Sequence, residues 1–189
     1  MSTLKGSTIL FITANEGVEQ AELEQPWKHF EALGARPVLA APEAGTVQAF
    51  NHLDRGDQFT ATVATSSLDT LGAVAGIVLP GGVPNADAIR TDEAATKYLR
   101  AAAESGTPVA VICHGAWLLI EADEVEGRTL TSWPSLQTDL RNAGATWVDQ
   151  EVVVCDNGAF TLVSSRKPDD LDAFSENAQR VFEQAHITA

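Results

Sequence analysis

Short, unbroken apolar runs alternate with helix-patterned segments along most of this chain, and that alternation restricts the fold more than any other feature. Residues 8–14 (TILFITA), 36–41 (RPVLAA), 74–79 (VAGIVL) and 109–112 (VAVI) each read as a strand with no solvent-facing side. Between them, Ala21, Leu23, Trp27, Phe30 and Leu33 form a helical stripe ended by Gly34, and residues 91–105 form an alanine-rich helix closed by Gly106. Residues 136–143 read as a further helix, and 168–186 as a final amphipathic one with Asp169 and Asp170 near its N-terminus. Strands buried on both faces and separated by helices imply right-handed crossovers and a mostly parallel sheet covered on both sides. The expected class is therefore α/β. Residues 46–67 are less regular and suggest a short hairpin. Residues 147–155 and 159–164 read as paired strands around Asn157–Gly158, a strong hairpin signal.

The length of 189 residues suits one domain, 1–189, with a sizeable core. Twenty-six acidic against 12 basic residues give a net charge of −14, which disfavours nucleic-acid partners. Neither the two cysteines nor the four scattered histidines have metal-ligand spacing, so no metal is expected. The first apolar run is too short for a signal peptide and no stretch approaches a membrane span, so the expected location is a reducing cytoplasm and no membrane partner.

Ligands of such sheets collect beyond the carboxyl ends of strands. Three such ends carry chemistry. Cys113 follows the last apolar strand directly, and Gly115–Ala116 are small enough for a helix to start at once. This strand–nucleophile–helix bend resembles the elbow that exposes a hydrolase nucleophile. A helix dipole behind the sulfur predicts a thiol pKa below the free value of about 8.5. The alternative is a buried structural cysteine. His114 is the adjacent imidazole. Gly81–Gly82 allow backbone to approach a ligand closely, and their N–H groups with that of His114 could hold an oxyanion; a plain tight turn is the other reading. Glu19 and Glu22, three apart on the first helix, either reach toward Cys113 or merely complement the helix dipole. A carboxyl donating to a thiolate must be protonated, which requires a pKa raised by burial. Cys155, in an apolar strand, reads as inert. No phosphate-cradling glycine loop follows a strand, so no cofactor is implied.

Several segments together resemble a known family: FITANE at 11–16, Glu19–x–x–Glu22–Leu23 with Pro26, LPGG at 79–82, VICHG at 111–115, TSWP at 131–134, AGATWVD at 143–149 and SSR at 164–166. In this order they resemble the PfpI-type intracellular cysteine peptidases and general stress proteins, in the superfamily of the Parkinson-associated deglycase. The resemblance implies a flavodoxin-like three-layer sandwich of the class I glutamine-amidotransferase-like kind. It implies Cys113 as nucleophile, Glu22 against the sulfur and His114 beside it. It also implies a homodimer or trimer of dimers in which an acid from the adjacent subunit completes a triad. The matching position is Asp87, a shorter acid than the family's glutamate and one residue further from the Gly-Gly turn. Ala116 stands where proline is frequent. His52, in the stretch NHLDRGD at 51–57, and Trp133 become candidates for pocket or rim.

The expected function is a stress-protective cysteine hydrolase whose substrate is a peptide or a small carbonyl compound. Its reaction would be peptide or amide hydrolysis, or deglycase/glyoxalase-type repair of α-oxoaldehyde adducts. The alternative is a non-catalytic stress protein whose Cys113 senses oxidation. A glutamine amidotransferase is disfavoured, since the only downstream histidine, His186, lacks the following glutamate.

Overall fold

The computed structural model describes residues 2–188. The first strand, β1 (Thr8–Ile12), lies fully buried near the middle of a seven-stranded sheet. A short β2 (Glu16–Glu19) leads into α1 (Gln20–Ala32), which returns the chain to β3 (Arg36–Ala41), parallel to β1. A hairpin of β4 (Gly45–Asn51) and β5 (Asp54–Ala61) then leaves the sheet and pairs with β2 as a separate three-stranded sheet. The chain rejoins at β6 (Val63–Ala64), on the far side of β3.

From there the direction reverses. β7 (Gly76–Leu79) pairs with the other edge of β1, followed by α2 (Val83–Ile89), α3 (Glu93–Glu104) and β8 (Val109–Ile112) beside β7. Next come α4 (Ala116–Glu121), the pair β9 (Thr129–Leu130) and β10 (Thr146–Trp147) flanking α5 (Gln137–Asn142), and then β11 (Val152–Cys155) and β12 (Leu162–Ser165). β12 adds parallel to β8, and β11 closes the edge antiparallel. The helix α6 (Leu171–Thr188) ends the chain. The order β11-β12-β8-β7-β1-β3-β6 places the reversal between β1 and β7. At such a point the two connections leave in opposite directions and open a crevice beyond the carboxyl ends.

Alternation along the strands splits the core between two faces. Leu10, Ile12, Ile77, Leu79, Val109 and Val111 face α3 and α4. Ile9, Phe11, Val78, Ala110 and Ile112 face α1 and α6. On that second face Phe30 of α1 stacks on Phe182 of α6, with centroids 5.5 Å apart and planes 15° apart. The three-layer α/β sandwich with a mostly parallel sheet is thus as expected.

Local boundaries differ in three places. Residues 16–19 pair with β4 instead of opening the first helix, so Glu19 sits at the strand end that caps α1. A seven-residue helix, α2, follows Gly82 where only a turn was expected; Pro84 in its first turn suits it to start there. Asn157–Gly158 do not make a two-residue turn, because pairing stops at Cys155–Leu162 and leaves a longer loop. Among the described residues no helix is long and apolar enough to cross a membrane.

Candidate active site

β8 ends at Ile112, and Cys113 follows in a left-handed conformation (φ +61°). Such a φ is costly for a residue with a Cβ and persists only where the surroundings impose it. One 3₁₀ turn, Cys113–Gly115, joins it to α4. Gly115 is what lets the bend sit against the end of β7: a Cβ there would lie 2.5 Å from the Leu79 carbonyl oxygen and 2.9 Å from that of Pro80. Gly81 plays the same part from the other side, since a Cβ would meet Glu22 Oε2 at 2.5 Å and the Cys113 Cβ at 2.7 Å. The elbow and the Gly-Gly turn therefore interlock through bare backbone.

Glu22, on the first turn of α1, is fully buried between them. Its Oε2 accepts the Gly81 N–H at 2.7 Å, and its carboxyl is in hydrogen-bonding range of the Cys113 thiol. Oε1 is buried without a hydrogen-bond partner. Burial pushes the Glu22 pKa up to about 8, against the pull of the Gly81 N–H and the thiol, with the charge of Glu19 adding to the rise. Burial, and then the charge on Glu22, also push the Cys113 thiol up, against the N–H groups of Gly82 and His114, which point at the sulfur. The depressed thiol pKa expected from a helix dipole alone is thus corrected: while Glu22 is ionised, the thiol holds its proton. Carboxyl and thiol are one coupled pair, in which charge on either holds the proton on the other. With the proton on Glu22, the sulfur has three donors around it: two amides and the carboxyl O–H.

His114 is buried and flanked by Trp117 (centroids 5.3 Å) and Trp133 (5.9 Å). Its Nδ1 lies 3.3 Å from Cys113 Sγ and its Nε2 3.4 Å from Ser135 Oγ. Burial pushes its pKa down to about 4, so the ring is neutral at pH 7. The Trp133 amide donates to the Cys113 carbonyl at 3.3 Å, which ties the partly exposed indole to the elbow.

The structure thus brings together Cys113, His114, Glu22, Gly81, Gly82 and Trp133. It corrects one role, because the Gly81 N–H is engaged by Glu22 and is not free for an oxyanion. Glu19 lies at the rim, where its Oε2 accepts the backbone N–H of His52 at 3.1 Å. His52 itself sits at the β4–β5 hairpin tip with its side chain 84% exposed, clear of the sulfur. Asp87 is exposed on α2 and does not hydrogen-bond His114 within the chain. A cavity of about 760 Å³ opens at the opposite edge of the sheet, lined by Thr8, Ala75, Tyr98 and Pro108, and does not reach the elbow.

Sequence reasoning missed Asn85. Fully buried in α2, it accepts the Ala14 N–H at 2.7 Å and donates to the carbonyls of Pro80 (3.1 Å) and Gly81 (2.9 Å), so it ties the end of β1 to the Gly-Gly turn. The available signal was an amide side chain three residues past Gly82. Asn85→Ala strands the Ala14 N–H and the Pro80 carbonyl, leaves the Gly81 carbonyl only the Glu19 N–H, and should destabilise by roughly 2–4 kcal/mol. In calorimetry that is a fall of roughly 5–15 °C in Tm. An unchanged Tm would mean that water replaces the amide.

A cysteine held at a strained strand–helix elbow of a doubly wound sheet, with a buried carboxyl and an imidazole against its sulfur, defines a class of α/β proteins built around one thiol. The chain belongs to the DJ-1/PfpI family, whose model matches residues 7–180. It is 34% identical over 169 residues to General stress protein 18 of Bacillus subtilis, covering 88% of this chain and 92% of that one. It is 38% identical over 167 residues to Deglycase PH1704 of Pyrococcus horikoshii (88% and 93%). With Protein/nucleic acid deglycase 2 of Escherichia coli it shares 37% over 166 residues (86% and 91%). The fold superposes on a ThiJ/PfpI domain protein from Brachyspira murdochii with a TM-score of 0.84 at 19% identity, covering 95% of this chain and 98% of that one. The corresponding values for Drosophila melanogaster DJ-1beta are 0.81 and 22%, over 97% and 94%.

Proposed function

We propose that the protein is a stress-protective cysteine hydrolase in which Cys113 attacks a carbonyl carbon, with deglycase or glyoxalase-type repair of α-oxoaldehyde adducts as its chemistry. The observation that carries this is the fully buried Glu22 carboxyl set against the Cys113 elbow, its pKa pushed up to about 8 by burial so that it holds a proton at pH 7. A protonated Glu22 leaves charge on the sulfur and supplies an acid at the reacting centre. On an adduct of an α-oxoaldehyde with an amine, the sulfur bonds to the former aldehyde carbon and the amine leaves with a proton. The resulting hemithioacetal passes its carbon-bound proton to the neighbouring carbonyl carbon through an enediol, with Glu22 as the shuttle. Water then cleaves the thioester, releasing a 2-hydroxy acid and the thiol. The Gly82 and His114 amides are the donors left for the developing oxyanion. Small substrates suit a nucleophilic residue that is only 7% exposed. The names of the relatives, among them deglycases and a general stress protein, point the same way.

Peptide hydrolysis is the neighbouring reading. It asks for an acid on His114, and Asp87 of an adjacent copy is the proposed source, in a homodimer or a trimer of dimers. The test is turnover of purified protein on methylglyoxal, on glycated amino acids and on fluorogenic peptides, with Cys113→Ala as control. Repair activity that vanishes in Cys113→Ala and survives Asp87→Ala is expected. Peptide turnover that Asp87→Ala abolishes, and that returns when Asp87→Ala and Cys113→Ala subunits exchange, would replace repair by a triad peptidase. No Cys113-dependent turnover on any of these substrates would overturn the hydrolase reading.

A further inference from the structure

Both ring nitrogens of His114 have a partner within the chain. Nδ1 faces the Cys113 sulfur at 3.3 Å, and Nε2 faces the Ser135 hydroxyl at 3.4 Å. Ser135 lies in the 3₁₀ turn Pro134–Leu136, which joins Trp133 to α5. Three contacts fix that turn against the elbow. The Trp133 N–H donates to the Cys113 carbonyl at 3.3 Å, the Trp133 ring stacks on the imidazole, and the Leu136 N–H closes the turn on the Trp133 carbonyl at 3.0 Å. Leu136 is fully buried, whereas Ser135 is exposed. On the other side of the ring, Trp117 gives its Nε1–H to Asp139 Oδ2 at 3.0 Å, so it turns only an apolar face to His114. Among the described residues, the Ser135 hydroxyl is the one hydrogen-bond partner of Nε2.

A neutral imidazole carries one proton, and what faces each nitrogen decides which of them holds it. A sulfur carrying charge can only accept a hydrogen bond, so in the reactive state Nδ1 has to be the protonated nitrogen. Nε2 is then bare and calls for a donor. A hydroxyl is one. A carboxylate in the same place can only accept, so it would hold the proton on Nε2 and leave Nδ1 bare toward the thiol. That second arrangement is the base of a triad, and the group observed at Nε2 is not the one it requires.

We propose that Ser135 is a positioning residue that selects the Nδ1–H form of His114, making the imidazole a hydrogen-bond donor to the Cys113 sulfur and not its base. The inference rests on Cys113 being the reactive thiol, as proposed above, and deepens that reading. The serine keeps its own proton throughout and touches no substrate; it acts only through the ring. With His114 held as a donor, the proton traffic at the sulfur falls to Glu22 alone. An elbow arranged in this way suits attack on small carbonyl compounds better than peptide hydrolysis, where a base on the leaving amine's side would need an acid behind it.

The test is the tautomer itself, read by nitrogen NMR at neutral pH on the full chain with labelled histidine, the His114 signals being assigned by their absence in His114→Asn. The parent should show Nδ1 protonated and Nε2 bare. Ser135→Ala, at an exposed position that leaves the core intact, should shift the tautomer ratio roughly three- to tenfold toward Nε2–H, the weight of one neutral hydrogen bond. Alkylation of Cys113 by iodoacetamide, mapped by mass spectrometry to separate it from Cys155, should slow by roughly threefold or more. Ser135→Thr should restore both readouts, and Asp87→Ala should change neither. A proton on Nε2 in the parent, an unchanged ratio in Ser135→Ala, or a loss that Ser135→Thr does not restore overturns the proposal. So does an Asp87→Ala protein whose ratio shifts as far as that of Ser135→Ala, since the partner of Nε2 would then come from a second copy. Neither readout depends on turnover. A parent with this tautomer and no Cys113-dependent activity would refute the hydrolase reading and leave the role of Ser135 standing.

Discussion

Cys113→Gly should lose at least about 10³-fold in turnover, because no other group can form the covalent intermediate, while the fold stays as stable as the parent or gains slightly. The two effects separate because the residue works in a conformation that its own Cβ resists. At φ +61° a side chain costs on the order of 1–2 kcal/mol, and glycine removes that cost while adding roughly 0.5–1 kcal/mol of backbone entropy to be lost on folding. The net change in denaturant midpoint should therefore be near zero or positive. Cys113→Ala should be equally inactive but without the relief of strain. A Cys113→Gly protein that melted far below Cys113→Ala would mean that the sulfur, rather than the surroundings, holds the elbow in place. Substantial turnover in either variant would remove Cys113 from the chemistry.

Glu22 should dominate the response of stability to alkali. Its pKa stands at about 8 in the folded state against 4.5 for the free group. A group whose pKa is raised by folding contributes stability that is complete below its unfolded pKa and is lost as pH climbs through the folded one. The decline should run from about pH 4.5 to about pH 8 and amount to a few kcal/mol, shared with the sulfur to which it is coupled. His114 has the opposite sign. Its pKa is pushed down to about 4, so its contribution is present above about 6.5 and is lost as pH falls toward 4. Urea midpoints measured from pH 4 to 9 should therefore fall in the parent between about pH 6.5, where the two contributions stop offsetting each other, and about pH 8. In Glu22→Gln they should stay flat there and still drop below pH 6.5. Glu22→Gln keeps a donor toward the sulfur and should disturb the thiol less than Glu22→Ala or Glu22→Asp, yet it should lose turnover because an amide cannot carry the proton. An alkaline decline that persists in Glu22→Gln would assign the titration to another group.

The sandwich was legible because β1, β3, β7 and β8 are written in continuous apolar residues, and a chain that buries both faces of a strand has few other ways to pack it. The site was legible wherever one strand end carried its own chemistry. Cys113 and Gly115 announce an elbow, and Gly81–Gly82 a close approach of backbone. Illegible parts depend on partners distant in sequence. Nothing local to residues 16–19 says that they will pair with β4, which begins 26 residues after Glu19, so the sequence pattern puts Glu19 on a helix it only caps. The seven residues of α2 are too few for a helical period to stand out. The engagement of the Gly81 amide by Glu22 spans 59 positions.

Successive amides of the Gly-Gly turn face different members of the coupled pair, Gly81 toward the carboxyl and Gly82 toward the sulfur. In the proposed reaction, a proton passing between them would move negative charge from one peptide dipole to the next, with both dipoles already fixed in place by Asn85 and the interlocked backbone. Solvent around an exposed thiol would have to turn over to follow that charge; here the medium is the main chain itself, and its reorganisation energy is correspondingly small. Stiffness at this turn is thus a kinetic property as much as a structural one.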